Sequence, residues 1–393
     1  MSKHLKDFTV SEYNFVSQFK CLSDKCPNTC CKKWDMQLDI NTKVLYDTVY
    51  SNLKSIVTIS NGNFILKRDS NSDACIKFQN GLCGVHKEYG SEALGDVCYF
   101  YPRLIYKIED SYLVSASLSC PEITRLAFFG DNPLEIKFKK YERVPMALKN
   151  YFDGVNNYQY CIKIHKFFLN LLAKENTTNA LLKCLHIANE IAHIPKKEWY
   201  DTMLAINQIG SQHVNEDNYD KYDPARLIQC AVMLIKSTQK TPDKEIYRYF
   251  SNVEQLGKFI INWHSTNIDC LYSEEIDLSQ ELSKQSLNFI NLILKKWVRL
   301  QLINNFYPFS GVGDNLYDKT VHLIVKYLIL KIMLYANLNN IEDEEKLKQT
   351  TIEIIYMFSR IFDHMADLKF FKNIIEDYGW NNHHKFIGML KKI

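Results

Sequence analysis

The sequence predicts a mainly α protein in two parts: a cysteine-rich N-terminal metal or cluster domain with a short β-hairpin (1–144), then a large α-helical domain (145–393). Three observations lead there. Eight of the twelve cysteines lie in the first 120 residues, where even scatter would put about three or four. Two short β-type runs, Leu104–Ile108 and Tyr112–Leu118, are broken at Glu109-Asp110-Ser111, which predicts a hairpin. From residue 145 onward, apolar residues recur three and four apart over long stretches, the spacing of one face of a helix.

Taken in order, the first thiols form C-x4-C-x3-C-C at Cys21, Cys26, Cys30 and Cys31, followed by Cys75, Cys83, Cys98 and Cys120. The hairpin should carry Cys98 and Cys120 back to one end. Cys30 and Cys31 are adjacent, so an extended chain would point them to opposite sides. The helical domain opens with a face of Leu181, Leu182, Leu185, Ile187, Ala188 and Ile191. A second face runs from Leu227 to Ile235 behind an Asp223-Pro224 start: Asp accepts the first free amides, and Pro gives up an amide that had no partner. Further helices are predicted from Ser286 to Asn304, Lys319 to Asn337 and Glu344 to Phe362.

Thiolate is a soft ligand suited to zinc and to iron–sulfur clusters. The opening Met-Ser-Lys-His-Leu-Lys-Asp-Phe-Thr-Val has no apolar run of signal-peptide length, so a reducing cytoplasm is expected. There, dense cysteines read as metal-binding before they read as disulfides. The candidate metal ligands are Cys26, Cys30, Cys31, Cys75, Cys83 and Cys98, with Cys21 and Cys120 open to inclusion. That set suffices for one four-iron cluster, or for one zinc with thiols left over. His86 reads as a local hydrogen-bonding residue, and His383 and His384 as solvated. Cys161, Cys184, Cys230 and Cys270 lie in helical stretches and read as small apolar side chains.

Composition excludes other classes. The net charge of +3 comes from 48 basic and 45 acidic residues without a concentrated basic patch, so no nucleic-acid partner is expected. The longest apolar stretch, Val321 to Leu334, carries His322, Lys326 and Lys331; it reads as a buried amphipathic helix and not a membrane span. Gly311-Val312-Gly313-Asp314 lies between helices and reads as a loop. No dinucleotide-type glycine fingerprint marks a cofactor site.

The ordered residues Phe19-Lys20-Cys21, Cys26, Thr29-Cys30-Cys31 with Trp34, Gly81-Leu82-Cys83, Val85-His86-Lys87, Cys98 ahead of Tyr101-Pro102-Arg103, and Leu118-Ser119-Cys120-Pro121-Glu122 resemble the flagellin lysine-N-methylase family. The likeness covers residues 15 to 125 closely. It continues more weakly at Asn304 to Phe309, where Phe306-Tyr307-Pro308-Phe309 looks like a motif of the family's helical part. Cys75, Cys83 and Cys98 also look like the wider group of small iron- or zinc-chelating domains. The resemblance implies methyl transfer from S-adenosyl-L-methionine to lysines of flagellin, in a protein holding a four-iron, four-sulfur (4Fe-4S) cluster. Two positions depart from the family: Tyr99 stands where Arg usually follows the cysteine, and Lys32-Lys33-Trp34 replaces Gly-Trp. Neither removes a thiol, but a cation near a cluster would help set its potential.

The chemistry sets its own demands. A free lysine has a pKa of about 10.4, so about one in a thousand is neutral and nucleophilic at pH 7. Attack on a sulfonium methyl therefore needs a site that removes the proton or disfavours the ammonium. The radical-enzyme spacing C-x3-C-x2-C is missing: Cys26 and Cys30 satisfy its first step, but position 33 is Lys33. The donor is expected to give up its methyl as an electrophile. No residue is singled out as general base or as a cofactor contact. The alternative reading is a non-enzymatic zinc- or iron-binding interaction module.

Overall fold

In Phe8–Tyr13 (β1), Val10 and Glu12 are buried while their neighbours are not, the period-two pattern of a strand with one covered face. The structure is a computed structural model that describes residues 8–32, 34–108, 111–143, 158–210, 283–310, 315–338 and 341–363, with isolated positions elsewhere. The chain divides into two units, Met1–Asn150 and Tyr151–Ile393.

In the first unit, Ile40–Thr48 (α1) starts at Asp39, whose side chain accepts from the Thr42 amide. A small hairpin follows, Val57–Ser60 (β2) with Asn63–Leu66 (β3). A second joins Phe78–Gln79 (β4) to Leu82–Cys83 (β5). Its turn is Asn80-Gly81, both with positive φ, the conformation that makes Asn-Gly the preferred two-residue hairpin turn. Two short helices come next, Gly84–Tyr89 (α2) and Asp96–Phe100 (α3).

The expected hairpin is Arg103–Ile108 (β6) with Ser111–Ala116 (β7), paired from Arg103↔Ala116 to Ile108↔Ser111. It is not isolated. β1 pairs parallel to β7, and Ile136–Tyr141 (β8) pairs antiparallel to β1, giving a four-stranded sheet in the order β6-β7-β1-β8. Periodicity alone did not reveal this, because β8 reads Ile-Lys-Phe-Lys-Lys-Tyr, with an apolar side that stays exposed at Ile136 and Phe138. Pro121–Phe129 (α4) has Pro at its start and packs on the helical turn Asn14–Ser17.

The second unit is helical where it is described: Tyr158–Lys174 (α5), Thr177–Ile191 (α6), Trp199–Gly210 (α7), Lys284–Asn304 (α8), Leu316–Leu338 (α9) and Glu344–Phe362 (α10). All six apolar positions read from 181 to 191 are buried on α6. Asn176, Ser283 and Asp343 cap α6, α8 and α10 by accepting an amide three residues on. α9 contacts α6, α8 and α10; it is buried, as expected, but on every side from Leu323 to Tyr335, where an amphipathic helix would bury one face. It is long and apolar enough to cross a membrane by length and composition, but 83% of its apolar window is buried inside the protein. Burying each large aliphatic side chain stabilises by about 1.5–3 kcal/mol. Two buried lysines of α9 find partners: Lys326 pairs with Asp363, and Lys331 lies 5.5 Å from the Tyr335 ring centroid.

Phe306-Tyr307-Pro308-Phe309 links α8 to α9 as core. His165 Nδ1–H donates to the Tyr307 carbonyl at 2.8 Å and the imidazole stacks on Phe306, while the Tyr307 hydroxyl and Thr320 Oγ1 lie 2.6 Å apart. The face from Leu227 to Ile235 with its Asp223-Pro224 start, Cys230, Cys270, the Gly311–Asp314 loop and His383-His384 lie outside the described residues.

Candidate metal centre

Four of the six expected ligands meet. Cys31, Cys75, Cys83 and Cys98 line one hollow, whose remaining walls are Met36, Leu66, Phe78, Val85 and Leu94. They come from four separate pieces of chain. The Cys75 amide donates to the Cys31 carbonyl at 2.8 Å, next to the antiparallel bridge Lys32↔Ala74, so the first cysteine loop is stitched to the segment that bears Cys75. The Asn80-Gly81 turn sets Cys83 opposite Phe78. Cys98 rides in the middle of α3.

The hollow sits in the apolar core of this unit, among Met36, Leu38, Tyr46, Leu53, Ile56 and Val85. Burial therefore pushes these thiols toward the neutral form. Cys75 is raised to about 11, and Cys83 is raised by burial against the opposing amides of Val85 and His86. Those amides face the sulfur without closing a capping hydrogen bond. Cys98 is raised first by burial and then by the charges of Cys31, Cys83 and Cys75. Cys31 is raised first by the adjoining Cys30 side chain, then by burial. A metal would have to displace these protons, since thiolate is the ligating form.

The other expected ligands stand elsewhere. Cys30 adjoins Cys31 but does not line the hollow, and its carbonyl accepts from Trp34 Nε1 at 2.6 Å. Cys26 stands with Cys21 and Cys120: their charges push Cys120 upward, after burial, to about 12. The hairpin does bring its two ends together, the Ser117 amide donating to the Pro102 carbonyl at 2.8 Å. Of the two cysteines beside those ends, Cys98 lines the hollow and Cys120 does not. Cys161 and Cys184 are buried in α5 and α6. His86 is exposed on α2.

Among the described residues, no group of three or more His, Cys, Asp or Glu side chains is set to hold a metal ion. Cys31, Cys75, Cys83 and Cys98 are the soft donors that face this hollow.

Three neighbours were not legible in the sequence. The Tyr46 hydroxyl donates to the Ala93 carbonyl at 2.8 Å; burial raises its pKa, and Cys98, Cys83 and Cys75 add to the rise. Asp39 accepts from the Thr42 and Asp96 amides, both at 2.9 Å, fastening α1 to α3. Arg143, just beyond β8, places its guanidinium 4.6 Å from the Tyr99 ring centroid. An Arg after a strand carries no signal of its own.

No protein-family model and no solved structure matches the chain. Over 169 residues it is 31% identical to the flagellar biosynthetic protein FliU of Salmonella muenchen, a match spanning 99% of that protein and 40% of this chain. Over 132 residues it is 33% identical to the Lysine-N-methylases of Salmonella typhimurium and Salmonella choleraesuis. The chain belongs to the flagellin lysine-N-methylase family. The match to the two Lysine-N-methylases covers 30% of this chain and 32% of each of them, so the chain spans about a third of their length. Beside Cys98, the Tyr99 ring carries the Arg143 guanidinium at 4.6 Å.

Proposed function

We propose that the chain is an S-adenosyl-L-methionine-dependent protein-lysine N-methyltransferase that acts on flagellin and carries a four-iron, four-sulfur cluster. The observation that carries the reading is kinship with two Lysine-N-methylases and with a protein named for flagellar biosynthesis. The four-thiol hollow supports the cofactor: Cys31, Cys75, Cys83 and Cys98 would hold the cluster, each losing its thiol proton. Bound there, a cluster supplies soft iron centres and a one-electron couple.

The chain's own residues have definite tasks. The apolar walls Met36, Leu66, Phe78 and Val85 limit water beside the sulfurs, and the Lys77, Val85 and His86 amides favour thiolate at Cys75 and Cys83. Asp39 and Arg143 hold the turn that bears Cys98. The methyl acceptor must lose its ammonium proton before it can attack, which calls for a dry or base-bearing site. Co-expression with the host's flagellin, followed by intact mass, tests the reading: flagellin should gain mass in methyl increments, and flagellin of unchanged mass would reject it.

A further inference from the structure

Arg143 is 5% exposed, and both terminal nitrogens of its guanidinium are engaged. Nη1 donates to the Leu94 carbonyl at 2.9 Å, Nη2 pairs with Asp96, and the Asp39 carboxylate lies 3.9 Å away. The group stacks over the rings of Tyr99 and Phe100 at 4.6 and 5.8 Å. These contacts bracket α3 from both ends: Leu94 precedes it, Asp96 opens it, and Tyr99 and Phe100 follow Cys98. Leu94 and Cys98 are themselves walls of the thiol hollow. One side chain from the far end of the unit's sequence thus fixes the turn that presents a sulfur.

Charge makes the second half of the argument. Asp39 and Asp96 set two carboxylates next to the turn, and ligation would add thiolates. Without Arg143 the neighbourhood would hold negative charge with no cation among these contacts. Buried charges of one sign are costly, and added negative charge near a cluster disfavours its reduced form.

We propose that Arg143 is a positioning residue for the group bound by Cys31, Cys75, Cys83 and Cys98: it fixes the α3 turn bearing Cys98 and offsets the negative charge gathered there. This rests on the reading of those thiols as a cluster site. The test uses the full chain purified anaerobically, with iron content and the midpoint potential followed by visible absorbance. Arg143→Gln should keep iron and shift the midpoint to more negative potential, and Arg143→Lys should restore most of the shift. An Arg143→Gln protein that keeps iron at an unchanged midpoint overturns the proposal. Should that variant fail to fold, Asp96→Asn gives the complementary reading: removal of a carboxylate should move the midpoint the opposite way, and no movement overturns the proposal. Wild-type chain without iron rejects the cluster reading and the role of Arg143 with it, whereas iron present and potentials unmoved rejects the role of Arg143 alone.

Discussion

The Cys75 amide donates to the Cys31 carbonyl at 2.8 Å, so two thiol-bearing segments far apart in sequence are joined through the backbone. The join does not depend on either sulfur. A cysteine can therefore be replaced at the hollow while the chain around it stays in place, which makes substitutions there interpretable.

The Asn80-Gly81 turn sets the position of Cys83. Gly81 has φ +79°, and a Cβ there would sit 3.0 Å from the Asp24 Cα. Gly81→Ala should cost about 1–2 kcal/mol from the left-handed conformation and the clash together. Denaturant unfolding of the full chain measures it. An unchanged midpoint would mean that the turn is not as described.

Asp39 caps α1 and accepts the Asp96 amide of α3, both at 2.9 Å. Asp39→Ala removes a helix cap and leaves a half-buried amide unpaired, with an expected loss of about 2–4 kcal/mol. Asp39→Asn keeps an acceptor oxygen and should recover much of it. Equal losses in the two variants would argue against the capping role.

Buried His165 is lowered from 6.5 to about 4 by desolvation, opposed by its bond to the Tyr307 carbonyl. Between those values the unfolded chain binds the proton and the folded chain does not. The stabilisation is thus complete above pH 6.5 and is lost as pH falls toward 4. Its full extent is on the order of 3 kcal/mol. Unfolding midpoints of wild type and His165→Asn, compared from neutral to acidic pH, should show the wild-type slope flattened in the variant; parallel slopes would remove His165 as the cause.

Much of the helical unit was readable because each helix repeats its apolar face over many turns, and local caps such as Ser283 and Asp343 mark the starts. The sheet was not, because the parallel pairing of β1 with β7 joins segments about a hundred residues apart and leaves no local period. The thiols showed the same division. Their number and clustering announced a site, but which sulfurs share it depends on pairings such as Lys32↔Ala74 and Phe78↔Cys83. Cys26 and Cys98 look equivalent along the sequence, yet only Cys98 lines the hollow. Arg143 and Asp39 were invisible for a simpler reason: a charged residue acquires a role only from what folds beside it.

If the proposed methyl transfer holds, its donor should react by displacement, since position 33 is Lys33 where the radical spacing needs a third cysteine. One S-adenosylhomocysteine per methyl added is the expected product balance. Formation of 5′-deoxyadenosine in proportion to methylated lysine, and only with a reductant, would overturn that expectation.

The most direct test of the cluster and the methyl transfer together is iron and sulfide content alongside intact flagellin mass, measured for wild type, Cys98→Ala and Cys184→Ala prepared anaerobically. Wild type and Cys184→Ala should hold iron and sulfide and add methyl mass to flagellin, while Cys98→Ala should lose both. A Cys98→Ala protein with full iron that still methylates flagellin would contradict the assignment.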